Sequence, residues 1–411
     1  MDSGTVDSAH DSDTGPDAPD AEDARSDATD AMDSGTVDSA LGEDASGVLL
    51  SIPLPNMQPS GLAIDQTNNK LYVAVVDPNT GNNLGFSVID TLTQAVSGSI
   101  APPVVNGVPV QGYYGSELLA FDPGANLLYA VPGGTTVDVF DGATNTFKTS
   151  FSIAGPPLTE VCDGIIWLAI DSASSRLYAS CADIASGHAD IVVVDTTDDT
   201  VVTGIVLVDL GSPSAALAID TTNNLLFASN IPEHVPTGEP IHVDTIDTTM
   251  NMVTGAQQVL GNATSVLVGP VGQPGSAALV TVDQSVTDGG VSSTFCSLEP
   301  ALKPLDPSFV VAFMSAVGTE DTFLIVGTFA GTDIPIIVEV KVNPVEGRPA
   351  ALGPPYNFRT PPPSLPEATY TPDDAVPAGN GNFYMTVTED TQSASMPVPG
   401  VWYCQGPPPL P

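Results

Sequence analysis

Four stretches of the chain share one alternation of apolar and polar positions. GLAID-QTNNKLYVA aligns at Asp65, LLAFD-PGANLLYAV at Asp122, WLAID-SASSRLYAS at Asp171 and ALAID-TTNNLLFAS at Asp220. In each, an apolar strand ends at Asp, a polar turn follows, and Leu with an aromatic residue stands six and seven positions on: Leu71-Tyr72, Leu128-Tyr129, Leu177-Tyr178 and Leu226-Phe227. A second signature follows each: VIDTLTQAV at Asp90, VFDGATNTF at Asp141, VVDTTDDTV at Asp195 and TIDTTMNMV at Asp247. The sixth residue after that Asp is Val96, Phe147, Val201 or Val253, and the first aspartates are spaced by 57, 49 and 49 residues. Short alternating runs with turn residues between them, at such a period, predict repeated four-stranded blades and an all-β propeller.

After residue 255 the pattern thins. A fifth blade fits residues 265–282, with Gly269 where Asp should stand, and a sixth uses FVVAFM, FLIVGTF and PIIVEVKV. A seventh recovers the hairpin spacing from Pro377 to Tyr384, with Pro at the Asp position and a third strand at 400–405. That blade lacks a fourth strand, while the apolar segment 47–54 stands unused before the first blade. Pairing the two removes both open sheet edges. The expected architecture is therefore a single seven-bladed β-propeller over residues 47–411, closed by its N-terminal strand. Nine of the 29 residues in 349–377 are proline, which reads as an ordered crossover between the sixth and seventh blades.

These residues resemble the YVTN-type β-propeller repeat of bacterial surface and exported proteins, most closely over residues 59–255. The resemblance implies that turns after first and third strands share one face of the disc. Loops between blades, and between second and third strands, share the other, which usually carries function. The irregular insertions 105–116, 155–164, 181–190 and 231–240 fall there, and loops that depart from a consensus are where specificity sits. They would bring Tyr113, Tyr114, Glu160, Asp163, Asp183, His188, Glu233 and His234 to one rim as a ligand site; ordinary loop variation is the competing reading. His188, His234 and His242 belong to the same face, but ligands spread over different blades cannot be verified by spacing. No motif supports a cofactor or a bound divalent ion. The eight repeated aspartates are expected to be turn formers, because a catalytic or metal-binding carboxylate is needed once rather than in every blade.

Charge changes the picture at the N-terminus. The chain carries 49 acidic and 8 basic residues, a net −41, which repels nucleic-acid backbones and anionic membrane surfaces. Residues 1–46 hold 14 acids, one base (Arg25) and no aromatic residue, and the unit MDSGTVDSA occurs at 1–9 and again at 32–40. Such a composition cannot bury enough apolar surface to offset ordering, so a disordered acidic linker is expected. Asp11, Asp13 and Asp17 alternate like calcium-loop ligands, yet Gly15 sits one position early for an EF-hand. The tract resembles the Asp/Ala/Ser-rich spacers that follow the lipid-modified cysteine of bacterial surface lipoproteins. That resemblance implies a lipid anchor upstream of Met1 and an exported location: outer-membrane lipoprotein, periplasm or cell surface.

Cys162 and Cys181 flank the first hairpin of the third blade and should reach the same end of it, where spacing permits a disulfide. Cys296 and Cys404 read as free or buried thiols. No HExxH, GxSxG or GxxxxGK[ST] pattern occurs. Two function classes follow. One is a monomeric, non-catalytic scaffold that binds a protein, polysaccharide or small ligand through the irregular face. The other is a propeller enzyme, lactonase-like or akin to quinoprotein dehydrogenase heavy chains, for which the sequence singles out no catalytic residue.

Overall fold

The computed structural model describes residues 48–154 except 106, and residues 162–260 apart from 184–187, 208–213, 222 and 232–239; from 263 onward it describes the strands named below. The expected linker at 1–46 lies outside the described residues.

Each repeated aspartate ends a strand and builds the hairpin that follows. Asp65 Oδ1 accepts the Asn68 backbone N–H at 2.9 Å, and its other oxygen accepts the Asn68 amide at 2.8 Å. Asp122, Asp171 and Asp220 accept the backbone N–H groups of Gly124, Ala173 and Asn223, and Asp220 also takes the Asn223 amide at 2.7 Å. On the third strands, Asp90 accepts Leu92 and Thr93, Asp141 accepts Ala143 and Thr144, Asp195 accepts Thr197, and Asp247 accepts Thr249 and Met250. The fourth residue after every one of these aspartates is left-handed: Asn69, Gln94, Asn126, Asn145, Ser175, Asp199, Asn224 and Asn251, with φ between 52° and 57°. A type I turn closed by such a residue connects antiparallel strands at short range. The two turns of each sheet are also tied together. Thr91, Gly142, Thr196 and Thr248 donate their N–H to the carbonyls of Asn69, Asn126, Ser175 and Asn224 at 2.9–3.0 Å.

The fold is all-β, and every strand pairing among the described residues is antiparallel. The first sheet holds Gln58–Asp65, Lys70–Val76, Asn83–Asp90 and Ala95–Ile100 in chain order, and the second Leu119–Asp122, Leu127–Ala130, Thr136–Asp141 and Thr146–Ser152. Gly164–Asp171, Arg176–Asp183, His188–Asp195 and Thr200–Val206 form the third; Ser214–Asp220, Leu225–Ile231, Pro240–Asp247 and Met252–Leu260 form the fourth. In all four, the last strand bulges seven residues after the third-strand Asp, at Ser97, Lys148, Val202 and Thr254. A bulge bends and twists the outer strand.

Beyond residue 262 the described sheets are less regular. The fifth has three strands, Ala263–Val268, Leu279–Thr287 and Gly290–Cys296. The sixth joins Phe309–Val310, Thr322–Phe329, Pro335–Asn343 and Arg348–Leu352, with Tyr356–Asn357 paired to one end of Pro335–Asn343. The proline-rich segment is thus not one continuous crossover: strands occupy both of its ends, because prolines at 349, 372 and 377 sit where the ladder tolerates them. The seventh sheet runs Tyr370–Gly379, Asn382–Glu389 and Gly400–Cys404, and its fourth strand is Val48–Pro53 from the other end of the chain. Leu50 opposes Tyr403, Ile52 opposes Val401 and Pro53 opposes Gly400. Strand Gln58–Asp65 packs against both Leu119–Asp122 and Tyr370–Gly379, so the last sheet lies beside the first.

Apolar side chains from adjacent sheets fill the space between them. Ile52, Leu54, Tyr384 and Val401 of the seventh sheet and its flank pack with Leu62, Leu71, Val73 and Ile89 of the first. The repeated tyrosine reaches across each such seam. Tyr384 hydroxyl accepts from Gln94 Nε2 at 3.0 Å, and Tyr72 hydroxyl donates to the Gly142 carbonyl at 3.3 Å. Tyr129 and Tyr178 approach Thr196 and Thr248 of the next sheet without closing a bond of ordinary length. Burial, joined by the charges of Asp171 and Asp247, pushes the Tyr178 phenol up to about 12, against the opposing effects of Thr248 and Arg176. In the fourth sheet Phe227 takes this place without a hydroxyl.

Candidate functional site

Opposite the aspartate turns, three segments of the first sheet and its exit loop enclose a cleft of about 540 Å³. Its walls are Gln58, Pro59 and Ser60, then Val76, Asp77, Pro78 and Gly81, then Tyr114, Gly115 and Glu117. The first segment is the start of an inner strand, the second the turn between second and third strands, and the third the connection to the next sheet.

Local chemistry fixes all three. Strand Gln58–Asp65 bulges at Ser60, which leaves the ladder and turns its groups toward the exit loop. The Ser60 hydroxyl donates to the Tyr113 carbonyl at 2.7 Å, while the Ser60 carbonyl accepts the Gly115 N–H at 2.5 Å. Leu62 N–H donates to Ser116 Oγ at 2.6 Å. The loop presses so closely that a Cβ on Gly61 would lie 2.9 Å from the Gly115 carbonyl oxygen, and Gly115 itself has φ +85°. A single 3-10 turn, Ser116–Leu118, then presents Glu117. Across the cleft, Asp77 Oδ1 accepts the N–H groups of Asn79 and Thr80 at 2.8 and 3.3 Å, and Gly81 N–H donates to the Asp77 carbonyl at 2.8 Å. Tyr114 hydroxyl donates to the Gly81 carbonyl at 3.0 Å and so ties the exit loop to this turn. Asn83 completes the bracing: its amide donates to the Gln111 carbonyl at 2.7 Å, and its oxygen accepts the Gly85 N–H at 2.7 Å.

The two carboxyl groups of the cleft sit in opposite environments. Backbone N–H donation from Asn79, joined by Thr80, holds Asp77 below the usual carboxylate range. Burial pushes Glu117 above it, against the opposing effect of its own backbone N–H. No Lys, Arg or His is among the residues lining the cleft. The arrangement offers fixed acceptors and an aromatic wall; Tyr114 is 50 % exposed.

The sequence-derived rim is only partly gathered here. Tyr114 lines the cleft, but its neighbour Tyr113 is a core residue, 1 % exposed. Tyr113 stacks on Phe86 at 4.9 Å, meets Phe140 edge-on at 6.0 Å, and donates its hydroxyl to Asp138 at 2.8 Å. The insertion turns this ring inward because the seam between first and second sheets needs an aromatic filler there. Asp138 also accepts from Ser150 at 2.5 Å, and burial raises its carboxyl despite both bonds. Asp163 lies exposed beside the third sheet, its N–H bonded to the Ala182 carbonyl at 2.8 Å. Asp183 and His188 oppose each other in the backbone register of strands Arg176–Asp183 and His188–Asp195. His242 opposes Gln258 in the fourth sheet. Glu160, Glu233 and His234 lie outside the described residues. Among the described residues, no group of three His, Cys, Asp or Glu is gathered as a metal site. Cys162 and Cys181 form a disulfide with Cα atoms 5.5 Å apart, at the same end of the third sheet as Asp163. Sequence reasoning missed Asp77, Glu117, Gln58 and Ser60; the lengthened polar turn DPNTGNN between two strands of the first repeat was the available signal.

No family model matches the chain, and no curated protein matches it in sequence. Solved structures do match in fold. The WD40 repeats of RRP9 share 10% identity with a TM-score of 0.53, over 88% of this chain and 98% of that one. U3-55K matches with 10% identity and a TM-score of 0.53, over 88% and 99%. A hydrazine synthase from Kuenenia stuttgartiensis matches with 15% identity and a TM-score of 0.50, over 85% and 99%. WD40 repeats build propellers of four-stranded blades, and at these identities the likeness is one of fold: the chain has a propeller fold. No helix among the described residues is long and apolar enough to cross a membrane.

Proposed function

We propose that the chain is a non-catalytic, seven-bladed propeller of the YVTN type that serves as a binding scaffold through its irregular loop face. One contrast carries this reading. All eight repeated carboxylates are committed to hairpin turns on one face, while the opposite face holds a braced cleft with an exposed tyrosine and two carboxyl groups outside the repeat. Rigid walls of this kind lower the ordering cost of binding. An exported or surface-anchored location is part of the proposal. The Cys162–Cys181 disulfide suits an oxidising compartment, and the acidic N-terminal composition suits a solvated spacer.

The test is retention on peptide and glycan arrays, using the full chain and two variants. Tyr114→Ser alters the cleft; Leu92→Ser alters an exposed residue of an aspartate turn, 74 % exposed. Loss of retention with Tyr114→Ser alone supports the loop face. Loss with Leu92→Ser alone places binding on the turn face and overturns the reading.

A further inference from the structure

Beyond the choice of face, the walls of the cleft discriminate between kinds of ligand. The acceptors in it are anionic or carbonyl, and no lining residue carries a positive charge. Glu117 is partly withdrawn from water and still lines the opening, with no basic side chain beside it in the cleft to compensate its charge. A carboxylate in that position gains most from a cation that enters and shares its desolvated site. Tyr114 holds its ring at the rim by the bond to the Gly81 carbonyl, where a cation can lie over or beside it. A bare divalent ion fits less well. One oxygen of Asp77 is already occupied by two backbone N–H groups, and hard cations want six or more oxygens. A cleft of about 540 Å³ is also much larger than an ion needs and is in the range of sites for organic ligands.

We propose that this cleft receives an organic cation, the guanidinium or ammonium head of an arginine or lysine side chain on a partner polypeptide. The proposal rests on the loop-face reading above and adds the partner's chemistry to it. Glu117 and Asp77 supply the charge, Tyr114 the aromatic wall, and Gln58 and Ser60 the polar floor. The chain's net charge of −41 draws basic partners toward it at long range and makes the encounter salt-sensitive. A polypeptide is favoured over a free amine because a cleft of about 540 Å³ open to solvent leaves room for residues flanking the charged head.

Calorimetric titration of the full chain decides the matter. The probes are acetylated, amidated Gly-Ala-Arg-Ala-Gly, its lysine counterpart, its citrulline counterpart, which keeps the shape without the charge, and free spermidine. The arginine or lysine peptide should bind saturably, and citrulline at least about tenfold more weakly, as expected for a charge-assisted contact. Glu117→Gln should weaken the arginine peptide by about tenfold, with the unfolding temperature of the variant unchanged. Tyr114→Phe, which keeps the ring, should bind better than Tyr114→Ser. Equal binding of arginine and citrulline peptides, or an unchanged affinity in Glu117→Gln, overturns the proposal. Tighter binding of spermidine than of either peptide overturns the polypeptide assignment. A neutral or anionic array ligand that is lost with Tyr114→Ser sinks the cation and leaves the loop face standing. A ligand lost only with Leu92→Ser removes the loop face itself.

Discussion

Replacing Ile52 by Ala tests whether the N-terminal strand closes the fold. Ile52 is 3 % exposed, opposes Val401 in the seventh sheet and packs in the cluster shared with Leu62, Leu71 and Tyr384 of the adjoining strands. Truncating a well-packed isoleucine costs about 2–5 kcal/mol, the transfer term plus the cavity left behind. Unfolding entropy of roughly 2.1 cal/mol/K per residue, over the unit Glu43–Pro411, converts each kcal/mol into about 1.3 °C. The expected fall in Tm is therefore about 3–6 °C. Leu50 on the same strand is 40 % exposed, and Leu50→Ala should move Tm by less than about 1 °C. Scanning calorimetry of both variants, beside chains lacking residues 1–44 or 1–54, gives the comparison. The shorter deletion should leave Tm unchanged. The longer one exposes the edge of Gly400–Cys404 and uncovers Val401 and Tyr384, and should prevent cooperative unfolding at the wild-type temperature. If Ile52→Ala and the longer deletion both unfold with the full chain, the strand does not close anything.

Asp65→Ala removes the charged, buried acceptor of the Asn68 N–H and amide and should cost about 1–3 kcal/mol in urea unfolding. Asn69, at φ 55°, should accept Gly with little change but lose about 1–2 kcal/mol as Val, since a branched side chain is strained in the left-handed region. Burial raises the Asp138 carboxyl in the folded state, so its contribution is fully present below the unfolded carboxylate range near 3.9 and is lost as pH rises through the folded value. Asp138→Asn should therefore flatten the upward-pH decline in Tm, while Asp90 and Asp141, held low chiefly by backbone N–H groups, and Asp247, held low first by the Thr249 hydroxyl, still give stability that is lost as pH falls. Reducing Cys162–Cys181, or replacing both by Ser, should lower stability by about 3 kcal/mol, read from denaturation in the presence and absence of reductant.

The part of the fold written most plainly in the sequence is the part governed by local turn chemistry. An aspartate, a polar turn and a left-handed fourth residue act within one hairpin, so they repeat in register at Asp65, Asp122, Asp171 and Asp220. Five of the eight left-handed positions carry Asn, a signal of the turn type that alignment on the aspartates exposes. The pairing of Val48–Pro53 with Gly400–Cys404 was legible for a different reason: an apolar segment without a partner and a sheet without a fourth strand imply each other. Tyr113 was misread because an insertion loop says nothing of which way its rings point; adjacency to Tyr114 suggested a rim, while the seam with Phe86 and Phe140 claimed the side chain. The cleft was invisible because Ser60, Asp77 and Glu117 are separated by 17 and 40 residues and meet only once the sheet and the exit loop are in place. The seam tyrosines show a third case. Their period was obvious, but that each reaches the third-strand turn of the next sheet follows only from the packing of one sheet on another.

Amide hydrogen exchange of the full chain, with and without the ligand it retains most tightly on the arrays, tests the functional account most directly. Protection should concentrate in 58–60, 77–82 and 113–118, the three walls of the cleft, and the aspartate turns at 91–94 and 142–145 should exchange as in the free chain. Protection confined to those turns, with the cleft segments unchanged, would place the working surface on the opposite face and contradict the scaffold described here.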